Sequence, residues 1–278
     1  MRSWHSDALN HIAVAAAADR AVTQAWVYGS GASGDLDEWS DLDVGLVVSG
    51  EDPRKIAAPD WLASLGPIWT FQCADRDGGA LVRTVFRDGR RIDLSAVGDP
   101  EVLPADRRRI DLIVSDADRV GQPSHPSHPS HPSQPSHPDS GPDEVELPDL
   151  VHQFRFTAAL AVVKDARDDL LIGGHLALEL PRLCLVLAML LRDRAEGTAH
   201  HRFGGARNDV WDHVLDLMPE QDSGRDSVLD LVDASAGLFD DLAARVWPDY
   251  VPDWSGLTVL LDQARERCLL EGPAIARL

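Results

Sequence analysis

Lysine is almost missing: in 278 residues, only Lys55 and Lys164 carry an ammonium group. Basic residues total 26 against 46 acidic ones, for a formal net charge of −20. A chain so poor in positive charge lacks the basic face that a phosphate backbone needs, which excludes a general nucleic-acid binder. The same imbalance suits a cationic small substrate drawn inward by the field. Cysteine is scarce as well. Cys73, Cys184 and Cys268 are scattered and odd in number, so they form no disulfide framework. Each stands among apolar neighbours, and three buried, reduced thiols are expected. Long apolar runs are also missing, the longest being LCLVLAMLL (183–191), which is shorter than a bilayer span. The N-terminal stretch MRSWHSDALNHIAVAAAADR puts histidines and aspartates where a secretory signal needs an apolar core. A cytoplasmic protein with no membrane partner and no nucleic-acid partner is expected.

Proline is unevenly spread. QPSHPSHPSHPSQPSHPDSGPD (122–143) is a three-residue repeat that cannot pack a core and should run extended. It predicts a division into an N-terminal domain over 1–120, a Pro/Ser/His-rich linker over 121–143 and a C-terminal domain over 144–278. The linker histidines His125, His128, His131 and His137 recur at the repeat's own period and are assigned no function.

The N-terminal part alternates helix and strand signals. SDALNHIAVAAAADR (6–20) suits a helix capped by Ser6 or Asp7. TQAWVYG (23–29), LDVGLVV (42–48) and IWTFQCA (68–74) read as strands, with a helix broken near Pro59 over 53–66. LVRTVF (81–86) and RRIDLSAV (90–97) flank Arg87-Asp88-Gly89, a turn signal that makes them a hairpin. A last short strand is expected within 111–119. The C-terminal part is helical, with amphipathic or apolar periods over 154–171, 180–194, 225–247 and 257–270. Pro181 fits the first turn of the second of these. The predicted fold class is α+β: a mixed sheet with helices, followed by an all-α bundle.

The chemistry concentrates in YGSGASGDLDEWSDLD (28–43), which leads into VGLVV. Strand residues two apart point to the same side, so Asp41 and Asp43 aim their carboxylates into one volume. Two anions so close repel unless a cation lies between them, and hard divalent ions such as Mg²⁺ take oxygen ligands. Gly29 and Ser30 form a small-residue turn after a strand, where backbone N–H groups approach an anion. Asp93, flanked by Ile92 and Leu94, faces opposite to both and supplies a third carboxylate from a neighbouring strand. Three such acids make a two-metal cluster for in-line phosphoryl displacement. Ser40-x-x-Asp43 also matches a helix capping box, but Val44, Gly45, Val47 and Val48 form strands rather than helices.

Gly29-Ser30, Gly34 and Ser40-Asp41-x-Asp43 resemble the G-S-x-x-x-G…S-D-x-D signature of the DNA polymerase β nucleotidyltransferase superfamily. Lys164 and Arg167, on the first helix after the linker, resemble the triphosphate-binding helix of bacterial aminoglycoside adenylyltransferases, whose layout the helical part shares. The resemblance covers most of the chain outside the linker. It implies a nucleotidyltransferase domain followed by a helical substrate- and nucleotide-binding domain. The implied reaction is Mg²⁺-dependent transfer of a nucleoside monophosphate, AMP from ATP, to a hydroxyl of a small cationic acceptor such as an aminoglycoside, with release of pyrophosphate. Asp41, Asp43 and Asp93 would be the catalytic acids and the ligands of two Mg²⁺ ions. Gly29, Ser30, Lys164 and Arg167 would bind the nucleotide. Asp165, Asp168, Asp169 and Glu179 are the acceptor-binding candidates. One departure stands out: the family often carries a basic residue in the loop after Gly-Ser, where this chain has Gly31, Ala32 and Ser33. A reading of another class is a minimal nucleotidyltransferase-type antitoxin acting on a protein partner, since Arg194 and His200 fit the loose R-x(4–6)-H pattern of the associated ribonucleases. A catalytically silent nucleotide-binding protein is a third.

Overall fold

Valine, isoleucine and aromatic residues fill the stretches that pair into a sheet, and alanine- and leucine-rich periods fill those that coil. The computed structural model describes residues 4–76, 78–99, 109–113, 147–197, 208–218 and 225–271. The proline-rich segment with its four histidines, the linker over 121–143, the expected strand beyond residue 113, and His200 all lie outside the described residues. The chain divides into two compact units: Met1–Phe86 with Arg90–Gly141, and Arg87–Gly89 with Pro142–Leu278.

In the first unit, helix α1 (Trp4–Ala18) precedes strand β1 (Val22–Tyr28), the one-turn helix α2 (Ser30–Ser33) and strand β2 (Leu42–Val48). Two further short helices follow, α3 (Pro53–Ile56) and α4 (Pro59–Leu62), each with proline in its first turn, where the missing N–H costs nothing. Strands β3 (Ile68–Arg76), β4 (Gly79–Phe86), β5 (Arg91–Val97) and β6 (Ile110–Ile113) complete a six-stranded mixed sheet of order β3-β4-β5-β2-β1-β6. Its one parallel pair is β2 with β5, and the other neighbours run antiparallel. α1 begins two residues before the expected start, so Ser6 and Asp7 fall inside it rather than capping it.

Alternation along the strands gives the sheet two unlike faces. One face carries Val27, Leu42, Val44, Leu46, Ile92 and Leu94, which pack with Ala8, Ile12 and Ala16 of α1 into the main core. The opposite face carries a row of polar residues and a small cluster of Trp26, Val47 and Val97 with Tyr28 packed on it. One face therefore holds the unit together, which leaves the other available for chemistry.

The second unit contains α5 (Leu147–Ala166), α6 (Leu170–Glu196), α7 (Asp209–Leu217), α8 (Arg225–Val246) and α9 (Ser255–Glu271). α6 is the hub, packing against α5, α7 and α8. It starts ten residues before the expected helix, so Pro181 lies inside it rather than in its first turn. Gly173 explains how α6 and α5 approach so closely: a Cβ there would lie 3.0 Å from the Asp165 backbone nitrogen. α6 has the length and apolarity of a membrane-crossing helix, yet Leu180, Leu183, Cys184, Leu187 and Leu191 are buried. The thiols correct another expectation, since Cys184 is buried but Cys268 is half-buried and Cys73 is exposed. Cys73 lies in the outer half of β3, an edge strand whose end faces solvent.

Candidate active site

β1 ends at Tyr28 and the chain must turn at once into α2. Gly29 makes that turn at φ +60°, a left-handed conformation that side chains disfavour. The turn also has no room for a Cβ, which would fall 2.1 Å from Asp43 Oδ2. The Gly29 carbonyl accepts from the amides of Ala32 and Ser33, both at 3.1 Å, so the turn closes on itself. The antiparallel β1–β2 register, which pairs Tyr28 with Asp43, thus brings the Gly29-Ser30 turn and the Asp43 carboxylate into contact.

Strand register then builds a row across five strands. Tyr28 pairs with Asp43, Asp43 with Asp93 across the parallel β2–β5 ladder, Asp93 with Arg83, and Arg83 with Gln72. Register partners share a face, so these side chains stand side by side. Burial and the charges of Asp41 and Asp43 push the Asp93 carboxyl up to about 7, against the opposing pull of Arg83 and Arg91. Burial likewise raises the Tyr28 phenol, with Asp43 and Asp93 adding to it. The Tyr28 hydroxyl lies 3.2 Å from Ser95 Oγ, one strand step beyond Asp93.

Asp41 stands just before β2, at the end of a loop held from several sides. Ser40 Oγ donates to Asp37 Oδ1 at 2.8 Å and accepts from the Asp37 amide at 3.0 Å. The Trp39 amide donates to Asp37 Oδ1 at 2.9 Å. Buried Arg91 donates to the Trp39 carbonyl and reaches to 4.0 Å from Asp41 Oδ2. Buried His5, on α1, has Nε2 3.1 Å from the Ser40 carbonyl, and burial lowers its pKa. Two elements of the main core, β5 and α1, therefore fix the backbone that carries Asp41. Ser40 joins the loop's own network and begins no helix, which disposes of the capping-box alternative.

The donor set fits a hard divalent cation in kind: three carboxylates, oxygen only, one of them raised by burial and then by the other two. Among the described residues, however, no group of three or more His, Cys, Asp or Glu side chains is gathered into a ready cation site. Arg83 Nε lies 3.2 Å from Asp93 Oδ2, and Arg91 faces Asp41.

The candidates of the helical unit have local tasks. Lys164 Nζ is half-buried, 4.0 Å from Asp169 Oδ2. Asp169 is the N-cap of α6, accepting from the Ile172 amide. Asp168 takes φ 66° in the tight turn between α5 and α6 and is exposed. Asp165 is fully buried. Glu179 pairs with Arg182 at 2.6 Å, one helical turn on. Arg167 follows the end of α5, its amide donating to the Val163 and Lys164 carbonyls.

Sequence reasoning missed Arg83, Arg91, His5, Tyr28 and Ser95. Two of them had a signal. Arg91 is two residues before Asp93 and so on its face. Closing a hairpin at Arg87–Gly89 pairs 86 with 90, and counting outward from there sets Arg83 opposite Asp93. His5 had no such signal, because it meets Ser40 only through the packing of α1.

Comparison with known proteins adds one positive finding. The family model described as streptomycin adenylyltransferase matches residues 1–186, which takes in the whole sheet unit, α5 and over half of α6. No curated protein matches the chain.

Proposed function

This chain belongs to the streptomycin adenylyltransferase family and is a nucleotidyltransferase; from that premise we propose that it transfers AMP from ATP to a hydroxyl of a small, cationic, aminoglycoside-like acceptor. The observation that carries the reading is the in-register pairing of Asp43 with Asp93 beside a turn that only Gly29 can make. Asp41, Asp43 and Asp93 would hold two Mg²⁺ ions. Bound there, magnesium would neutralise charge on the triphosphate and polarise its α-phosphoryl group.

The acceptor oxygen forms a bond to the α-phosphorus, and the bridging bond to the β-phosphate breaks. Pyrophosphate leaves with the electron pair, and the hydroxyl proton passes to an Asp93 oxygen. Burial, with Asp41 and Asp43, raises this carboxyl to about 7, and a cation held beside it would favour the ionised form that accepts the proton. The Gly29-Ser30 turn offers small residues and backbone donors to the outer phosphates. With Gly31, Ala32 and Ser33 bringing no positive charge, Lys164 and Arg167 are the proposed triphosphate cations. Of the four proposed acceptor acids, Asp168 is exposed, Asp169 and Glu179 are half-buried, and Asp165 is buried. The charge of −20 favours a cationic acceptor.

The test incubates the protein with Mg²⁺, α-labelled ATP and a panel of aminoglycosides that includes streptomycin. Label on the acceptor and released pyrophosphate are expected. Asp41→Asn and Asp43→Asn each should remove several kcal/mol of transition-state stabilisation, about a thousandfold in rate, with an unchanged circular dichroism spectrum. Full activity in either variant would overturn the assignment.

A further inference from the structure

The polar row on the open sheet face alternates in charge where it matters. Asp43 and Asp93 are adjacent, and the next strand places Arg83 in register with Asp93. Arg83 Nε is 3.2 Å from Asp93 Oδ2, with the arginine side chain 42% exposed and the aspartate 19% exposed. A guanidinium and a divalent cation are rival ligands of one carboxylate, since both are held by the same oxygen lone pairs. The Arg83–Asp93 contact is an ion pair without a hydrogen bond at Nε, a buried atom with no hydrogen-bond partner.

We propose that Arg83 is a positioning residue that stands in for the metal at Asp93, so that divalent ions must displace its guanidinium before the three-carboxylate site can form. The inference rests on the metal-dependent reading above and deepens it. Three details support displacement rather than a fixed structural pair. Arg83 is on the neighbouring strand, not in the loop that carries Asp41, so it can swing away without disturbing β2. Its half-exposed side chain has solvent to move into. The loop before Asp41 is meanwhile anchored independently, by Arg91 on the Trp39 carbonyl and His5 at the Ser40 carbonyl. Arg91 is buried and hydrogen-bonded, whereas the Arg83 side chain is half-exposed and its shielded Nε lacks a hydrogen bond that would hold it. One arginine thus builds the site and the other occupies it.

A positive charge beside the ion position weakens metal binding by simple Coulomb repulsion and by competition for the oxygen. At a few ångströms and a near-surface dielectric this is worth about tenfold in affinity or more. The experiment titrates the full-length, nucleotide-free protein with Mn²⁺ and reads free ion by electron paramagnetic resonance. Arg83→Gln should bind Mn²⁺ about tenfold more tightly than the parent, and Arg83→Lys, which keeps the charge, should stay close to the parent. The added Asp43→Asn change in the Arg83→Gln background should abolish the gain. Binding that is unchanged or weaker in Arg83→Gln, with the parent's circular dichroism spectrum, overturns the inference. If that binding is still lost in Asp43→Asn, the transfer reading stands without it. If Mn²⁺ binding ignores Asp43→Asn altogether, both fall.

Discussion

At Asp93 one side chain ties stability to the proposed chemistry. Its carboxyl, ordinarily near 3.8, is held near 7 by burial and by Asp41 and Asp43. Between those values the folded chain retains a proton that the unfolded chain has released. Stability therefore falls as pH rises through that window and levels off above 7. A displacement of about three units corresponds to a ceiling of about 4 kcal/mol. Asp93→Asn removes this cost but also takes away the carboxylate that faces Arg83, so a net gain of about 2–4 kcal/mol at pH 8 is expected, shrinking to nothing near pH 4. Urea unfolding at the two pH values measures it. An equal effect at both would show that the strain is not electrostatic. The same substitution should abolish transfer, so stability and activity move in opposite directions, as they do where an active site holds like charges together.

The strand β2 shows how an element can be specified by its neighbour. Gly45 is a poor choice for a central strand, but the Trp26 indole lies across it. A Cβ at 45 would sit 2.4 Å from Trp26 Cε2 and 2.5 Å from Cζ2 and Nε1. Gly45→Ala is expected to destabilise by about 1–3 kcal/mol through this overlap. Combined with Trp26→Leu, the penalty should largely vanish, and a double-mutant cycle in urea would read the coupling. Additive costs would refute the packing account. α6 makes the same point for helices. Gly173, Gly174 and Pro181 look like breakers, yet the helix runs through all three. Gly173 permits close contact with α5, and tertiary packing outweighs a local cost of about 1 kcal/mol for each glycine and about 3 for proline. α7 escaped prediction altogether, being nine residues long with buried Val210 and Val214 as its anchors.

The molecule's long-range property is its charge. With 46 acidic against 26 basic residues, the proposed cationic acceptor would be drawn in by a field that salt screens. The KM for such an acceptor should rise severalfold between about 20 mM and about 300 mM salt, with kcat little changed. A KM indifferent to salt would mean that recognition depends on shape and short contacts alone.

What the sequence by itself determined is local and periodic. The strand over 42–48 emerges as expected because Val44, Gly45, Val47 and Val48 favour a strand over a helix. Asp41, Asp43, Gly29 and Ser30 were legible because a strand's two-residue period and a glycine's backbone freedom are properties of short segments. Only the tertiary structure decided the partners. That Asp93 stands beside Asp43 and not one residue away depends on a parallel register between strands separated by more than forty residues. That Arg83 occupies it, and that His5 and Arg91 anchor the loop before Asp41, follows from how strands and helix close on a shared core. Short-range sterics and periodicity are written in neighbouring residues, whereas the electrostatics of a site arise from distances that exist only once the chain has folded.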